Sequence, residues 1–483
     1  MIKLPIVAQA LIVLIVASAV SLIGLGTHPY RSTEGFRVEV ARSMIEAGDW
    51  RVSEVYELDY ARKPLGVAWA IGASFKVFGE SEFAARLPSA LAFIAMALVT
   101  FFVTTRWIGA PWGLSAGLAQ VLMPAYWAPA RAAEIESLLF LGTQLGAFAI
   151  VALMLRPGGS LGRSWGWVMM GSVGMALALA VKGPASAIVW LACLVACFVI
   201  ARSSPKRLLP IAIMGVLGVV LALPALPRGD VSQGPVETQG VSDFLFDFSY
   251  LDDAPLALLL GMPLTLAVLF PWGPDARREP DQDSRRLAAV MALAWFFSIV
   301  AHWLVGVWNP RYTLGALVLL PPIVAYVVRA FATDALLPKR WLIARVMTFG
   351  HPVAMAIALC CGAVAWVVVA ESSRASTSSQ PAAVVLAQHL SEGDLVWIDQ
   401  QVDSRPELGL YLEQLAGARV VWAKELLGAG GLPAVGSYLV LRESEHEALM
   451  KHHPDRLVEV YRATARHYDD KPDAMAILVR VGE

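Results

Sequence analysis

Between Thr27 and Pro64 the chain gathers charged and hydroxyl side chains into a polar island beside its first apolar run. The island reads Thr-His-Pro-Tyr-Arg-Ser-Thr-Glu-Gly-Phe-Arg, continues through Met44-Ile45-Glu46-Ala47-Gly48-Asp49-Trp50 and closes on Arg62-Lys63-Pro64-Leu65. Further ionisable residues stand at the ends of other apolar runs: Glu134 and Glu136 at the head of one, Lys182 between two, and Arg311 before another. Such groups at membrane depth are costly unless paired or wetted. One alone would be an ordinary side chain snorkelling at a helix end. Several converging from distant loops point to a site, and the mixture of carboxylates and cations suits chemistry on a charged, lipid-linked substrate. Glu34 is the candidate base, and Glu136 a second candidate acidic group.

The cations have local settings that suit a phosphate. Proline confines the residue before it to extended geometry, so Lys63-Pro64 fixes the direction of the lysine backbone just ahead of an apolar helix. Lys182-Gly183-Pro184 repeats the arrangement at a span entrance, and Asn309-Pro310-Arg311-Tyr312 offers a guanidinium able to grip a phosphate through two parallel N–H bonds. Glu34 follows Thr33, a good N-cap, and Val38, Ala41, Met44 and Ile45 recur at helical spacing. The pattern predicts a helix lying on the bilayer with Glu34 in its first turn. The helix dipole lowers a carboxylate's pKa there, whereas a general base works best with a pKa near the working pH.

Only 16% of the residues are charged and 57% are hydrophobic, against about 25% charged in soluble domains. Most of the chain therefore belongs in lipid. At roughly 20 apolar residues per spanning helix the sequence holds about eleven spans, beginning near Ile6, Phe83, Pro111, Ile135, Trp165, Pro184, Leu208, Pro255, Leu287, Tyr312 and Val346. Pro64–Gly79 is short and contains Lys76, so it reads as an interfacial helix. The positive-inside rule agrees: with Lys3 cytoplasmic, the Arg- and Lys-rich loops fall on one side, and single cations such as Arg131 and Lys182 on the other. Counting Pro64–Gly79 as a span would reverse every later loop. The Pro5–Gly26 run lacks a convincing cleavage site and reads as a retained span.

The expected architecture is an all-α polytopic membrane protein over residues 1–371, with residues 28–82 as an extracytoplasmic first loop carrying interfacial helices. A small extracytoplasmic α/β domain follows over 372–483, where short runs such as Leu395–Ile398, Arg419–Trp422 and Tyr438–Leu441 alternate with helical patterns at Glu407–Leu415 and Glu443–His452. Net charge of -1 and the lack of a basic tract argue against nucleic acid. Cys193, Cys197, Cys360 and Cys361 all lie in apolar runs and read as packing residues rather than metal ligands.

The order Thr33-Glu34, Arg42, Met44, Gly48-Asp49-Trp50, Arg62-Lys63-Pro64-Leu65, Trp69, Phe78-Gly79, Ser81-Glu82 and Arg86-Leu87-Pro88-Ser89 resembles the bacterial aminoarabinose (lipid A) transferases and protein O-mannosyltransferases. Glu136, Val181-Lys182-Gly183, Pro271-Trp272 and Arg311-Tyr312 extend the likeness. These are glycosyltransferases of the GT-C type. The resemblance implies transfer of a sugar, with inversion, from a polyprenyl-phosphate donor to an envelope acceptor (lipid, glycan or protein). It implies the extracytoplasmic face of a bacterial inner membrane, Glu34 as general base, and Lys63, Lys182, Arg311, Arg37, Arg62 and Tyr312 as ligands to phosphate or sugar. The chain departs from the pattern at three places. Thr33 stands where the family commonly has an acid, Arg37 where tyrosine is usual, and Arg62 where the aminoarabinose enzymes carry an acidic residue that helps bind a metal. No metal or other cofactor is carried over. The alternatives are a non-catalytic relative that binds a lipid-linked sugar, which the departures motivate, and a lipid or sugar transporter, which would place charges near span midpoints.

Overall fold

The computed structural model describes residues 5–31, 33–56, 58–60, 63–155, 161–201, 205–226, 282–304, 314–332, 378–399, 406–423, 432–441, 443–464 and 475–482. Arg62, Arg311 and Tyr312, Cys360 and Cys361, and the spans expected to begin near Pro255 and Val346 lie outside the described residues, as does most of the linker expected after 371.

The helices that matter for the site are α1 (Ile6–Leu22), α2 (Glu34–Ala47), α3 (Gly66–Phe78), α4 (Glu82–Ile108), α5 (Ala110–Val121), α6 (Trp127–Ala130), α7 (Glu136–Leu155) and α8 (Leu161–Lys182). Among the described residues, five helical stretches are long and apolar enough to cross a membrane: α4, α7, Ser164–Ala201, Leu208–Ala225 and Gln282–His302. The α3 helix has 13 residues, about 20 Å at 1.5 Å per residue. That is too short for a hydrocarbon core of about 30 Å. Helix α4 shows how the sequence sets its ends. The Ser81 hydroxyl accepts from Ala84 N at 3.2 Å, Glu82 occupies the first turn and Arg106 the last, and Gly109 stops it with φ +114. Cys193 and Cys197 are buried thiols inside the bundle.

Helix α2 starts where its pattern predicts and ends at Gly48 with φ +67. Its surroundings differ from expectation. Glu34 through Ala41 are all buried, so the first two turns are enclosed on every side rather than lying half in lipid. Thr33 makes no side-chain cap; its hydroxyl donates to Glu134 instead.

The covering element is α14, the name used here for Pro406–Ala416. It lies between β3 (Leu395–Asp399) and β4 (Arg419–Ala423) of a five-stranded sheet ordered β4-β3-β5-β7-β6, where β5 is Tyr438–Leu441, β6 Leu457–Thr464 and β7 Met475–Val481. The β3 strand runs parallel to β4 and β5. The β7 strand runs antiparallel to β5 and β6, with a bulge between Glu459 and Tyr461. Parallel neighbours need a crossover connection, and α14 supplies the one between β3 and β4.

Small residues let the α7 and α8 backbones approach. A Cβ on Gly142 would lie 2.7 Å from Ala178 N and Gly174 O, which are backbone atoms that cannot swing aside. Gly142→Ala is therefore expected to lower stability by about 1–3 kcal/mol through overpacking, read as a lower thermal midpoint in detergent. Gly166→Ala, where the added methyl meets open space, is expected to leave the midpoint unchanged or slightly raised.

Candidate active site

The chain between α1 and α2 is held by one guanidinium. Arg86, 3% exposed on α4, donates through Nε to Glu34 Oε1 at 2.8 Å and through Nη2 to Glu34 Oε2 at 2.9 Å. Its remaining N–H groups reach Leu25 O at 3.2 Å, His28 O at 2.7 Å and Pro29 O at 2.8 Å. Glu34, 1% exposed, also accepts from Ala133 N at 2.7 Å and Arg31 N at 3.1 Å. Burial pushes this carboxyl upward, but the Arg86 charge and hydrogen bonds outweigh it and hold it below the usual glutamate range.

That setting bears on the expectation that Glu34 is the base. A carboxylate with both oxygens engaged, and with a lowered proton affinity, is an anchor rather than a proton acceptor. Its bond to Ala133 N also fixes the turn just ahead of α7. The same turn is pinned by Arg131, which donates to Val20 O at 3.0 Å and Ile23 O at 2.7 Å, and by Ser89 Oγ, which donates to Glu134 O at 3.3 Å.

The turn delivers Glu134. One of its oxygens accepts from the Thr33 hydroxyl and the other lies 4.0 Å from Arg37 Nε. Arg37 in turn lines a recess with Ser53, Tyr60, Lys63, Pro64 and Ile135. The recess thus combines two cations and two hydroxyl-bearing side chains with an apolar wall, and the Glu134 carboxylate lies against Arg37. Glu136 and Lys182 form a separate buried pair, Oε1 to Nζ 3.7 Å, one residue along from Ile135.

The structure therefore brings Lys63 and Arg37 together at one recess, and Glu136 and Lys182 together beside it. It adds Glu134, an acidic residue at the head of α7 whose carboxylate accepts from the Thr33 hydroxyl. The only sequence signal for it was its place beside Glu136 at a span entrance. The groups around Lys63 include the Arg37 cation and the Ser53 and Tyr60 hydroxyls, and among the described residues no three His, Cys, Asp or Glu side chains gather as metal ligands. The donor set does not fit a metal.

Comparison with known proteins supplies the wider setting. Residues 6–228, just under half of the chain, match the family described as dolichyl-phosphate-mannose-protein mannosyltransferase. The chain is similar to ArnT from Cupriavidus metallidurans, at TM-score 0.68 and 18% identity in its apo state, over 98% of each chain. A second crystal structure of that protein, bound to undecaprenyl phosphate, gives a TM-score of 0.65 at 20% identity, over 99% of this chain and 97% of that one. The chain shares the fold of ArnT. In sequence, the undecaprenyl phosphate-alpha-4-amino-4-deoxy-L-arabinose arabinosyl transferase of Aeromonas hydrophila is 27% identical over 164 residues, 34% of this chain and 30% of that protein. The matching enzyme of Edwardsiella ictaluri is 33% identical over 73 residues, 15% of this chain and 13% of that protein. The chain thus matches under a third of the length of these curated relatives.

Glu34→Gln is expected to cost about 3–5 kcal/mol, because it leaves the buried Arg86 charge uncompensated. Since the folded carboxyl titrates below its unfolded value, the stabilisation is present above the ordinary glutamate pKa of about 4.3 and is lost as pH falls through the lowered folded value. Thermal midpoints of the two proteins should therefore differ most near neutral pH and converge in acid.

Proposed function

We propose that this protein is a GT-C membrane glycosyltransferase that moves a sugar from a polyprenyl-phosphate donor to an envelope acceptor. The transfer occurs on the extracytoplasmic face of a bacterial inner membrane and inverts the anomeric carbon. The observation that carries this reading is the recess where Lys63 and Arg37 face one space, with the Glu134 carboxylate against Arg37. Two cations at that level suit a lipid-linked phosphate, and the Ser53 and Tyr60 hydroxyls suit a sugar. ArnT was crystallised with undecaprenyl phosphate, which supports the same class of donor here.

In this reading Glu134 takes the role first expected of Glu34. An acceptor hydroxyl gives its proton to the Glu134 carboxylate as its oxygen bonds to the anomeric carbon. The bond from that carbon to the phosphate oxygen breaks with its electron pair, and Lys63 and Arg37 hold the negative charge of the departing polyprenyl phosphate. Phosphate is already a good leaving group, so a base, a charge clamp and a dry pocket suffice. The Thr33 hydroxyl fixes one carboxylate oxygen and leaves the other directed at Arg37. The Lys182–Glu136 pair stands behind Ile135, where it holds the first turn of α7. Arg62, Arg311 and Tyr312 are assigned to phosphate and sugar from their sequence setting alone. Residues 1–371 form the membrane unit and 372–483 the extracytoplasmic α/β unit.

Transfer from undecaprenyl-phosphate sugars to envelope extracts, paired with binding of undecaprenyl phosphate itself, tests the assignment. Lys63→Ala and Arg37→Ala are each expected to weaken phosphate binding by about 10- to 100-fold, the value of a charge-assisted hydrogen bond. Glu134→Gln is expected to keep binding and lose transfer by about 10²–10⁴-fold. Wild-type turnover in Glu134→Gln would remove that residue from the reaction. Binding without transfer in the wild-type protein, across the whole donor panel, would favour a non-catalytic relative.

A further inference from the structure

The recess depends on a short hairpin. Glu54–Val55 pairs antiparallel with Leu58–Asp59. At its base Tyr60 N donates to Ser53 O at 2.7 Å and Ser53 Oγ to Tyr60 O at 2.5 Å. Ser53 and Tyr60 both line the recess with Lys63, so the hairpin's base is one of its walls. At the hairpin's tip is Tyr56, the one non-glycine among the described residues with positive φ, at +49°. Backbone strain of that kind persists only where the surroundings enforce it.

What encloses Tyr56 is α14. A Cβ on Gly409 would lie 2.6 Å from both Cζ and Oη of Tyr56, so only glycine lets the helix come this close to the ring. The same helix grips α2 and its approach at two further points. Glu413 accepts from Arg42 Nη1 at 2.8 Å. Tyr411 Oη accepts from Tyr30 N at 2.5 Å and donates to Glu82 at 3.2 Å. Just before this unit's first helix, Ser378 Oγ donates to Tyr30 O at 2.8 Å. Helix α2 carries Arg37, and the hairpin leads to Lys63. One helix distant in sequence thus touches both segments that bring cations to the recess.

We propose that α14 is a positioning element for the phosphate recess: through Gly409 against Tyr56 and Glu413 against Arg42, it sets the spacing of Lys63 and Arg37. This gives the C-terminal unit a part in donor binding, and it rests on the reading of the recess as the phosphate site. The residues of α14 act through the hairpin and α2 and are not placed in contact with substrate.

The test uses full-length protein in nanodiscs and two readouts: amide hydrogen exchange across residues 53–60, and binding of undecaprenyl phosphate. Gly409→Ala is expected to speed exchange in the hairpin and weaken binding by roughly tenfold or more, as small misplacements at a site do, while α7 exchanges as before. Glu413→Gln is expected to act in the same direction through α2 and carries the test if Gly409→Ala does not fold. Leu415→Ala, at an exposed position on the same helix, should match wild type in both readouts. Unchanged exchange and binding in Gly409→Ala and Glu413→Gln overturn the proposal, and so does a loosened hairpin with wild-type binding. If wild-type protein itself fails to bind undecaprenyl phosphate, the donor reading falls. Exchange alone then decides whether α14 braces the hairpin.

Discussion

The Arg86–Glu34 pair is the constraint on which the rest of the candidate site depends. Removing two charges from water is expensive, and the cost is met only where every donor and acceptor is satisfied. Here the guanidinium spends its N–H groups on the carboxylate and on Leu25, His28 and Pro29. The carboxylate in turn takes the backbone N–H groups of Arg31 and Ala133. A single buried contact therefore joins the end of α1, the start of α2, the body of α4 and the turn before α7. Those are the segments that carry Arg37 and Glu134, and only a fixed frame can keep such groups in register for chemistry.

The same contact explains why one acidic residue cannot serve both as anchor and as base. Anchoring requires a stable negative charge, which lowers the pKa. Proton transfer requires a carboxylate whose proton affinity suits the working pH and whose oxygen can reach the acceptor. In the proposed reaction the two duties fall to Glu34 and Glu134. Thr33 links them: it abuts Glu34 in sequence, and its hydroxyl meets Glu134 in space. An acid at position 33 would face Glu134 as a like charge, so the threonine and the second glutamate make sense together.

Much of this was legible in the sequence. The apolar runs marked helices, Thr33-Glu34 marked the start of α2, and Lys63-Pro64 marked a cation that does line the recess. The runs at Leu395–Ile398, Arg419–Trp422 and Tyr438–Leu441 are strands of one sheet. What local pattern could not carry was pairing across long separations. Nothing near Glu34 indicates that Arg86, 52 positions away, neutralises it, and so the residue looked available. Nothing in the α2 periodicity reveals α14 above it, so a buried helix was read as a surface one. Arg42 was likewise part of a motif, but its partner Glu413 lies 371 positions on.

The most direct test of the central claim is a structure of the protein with undecaprenyl phosphate in nanodiscs. The account predicts the phosphate within hydrogen-bond reach of Lys63 Nζ and the Arg37 guanidinium, with Glu34 still held by Arg86 and Glu134 facing the space beside the phosphate. A phosphate bound away from Lys63 and Arg37, for example across the Lys182–Glu136 pair, would contradict it.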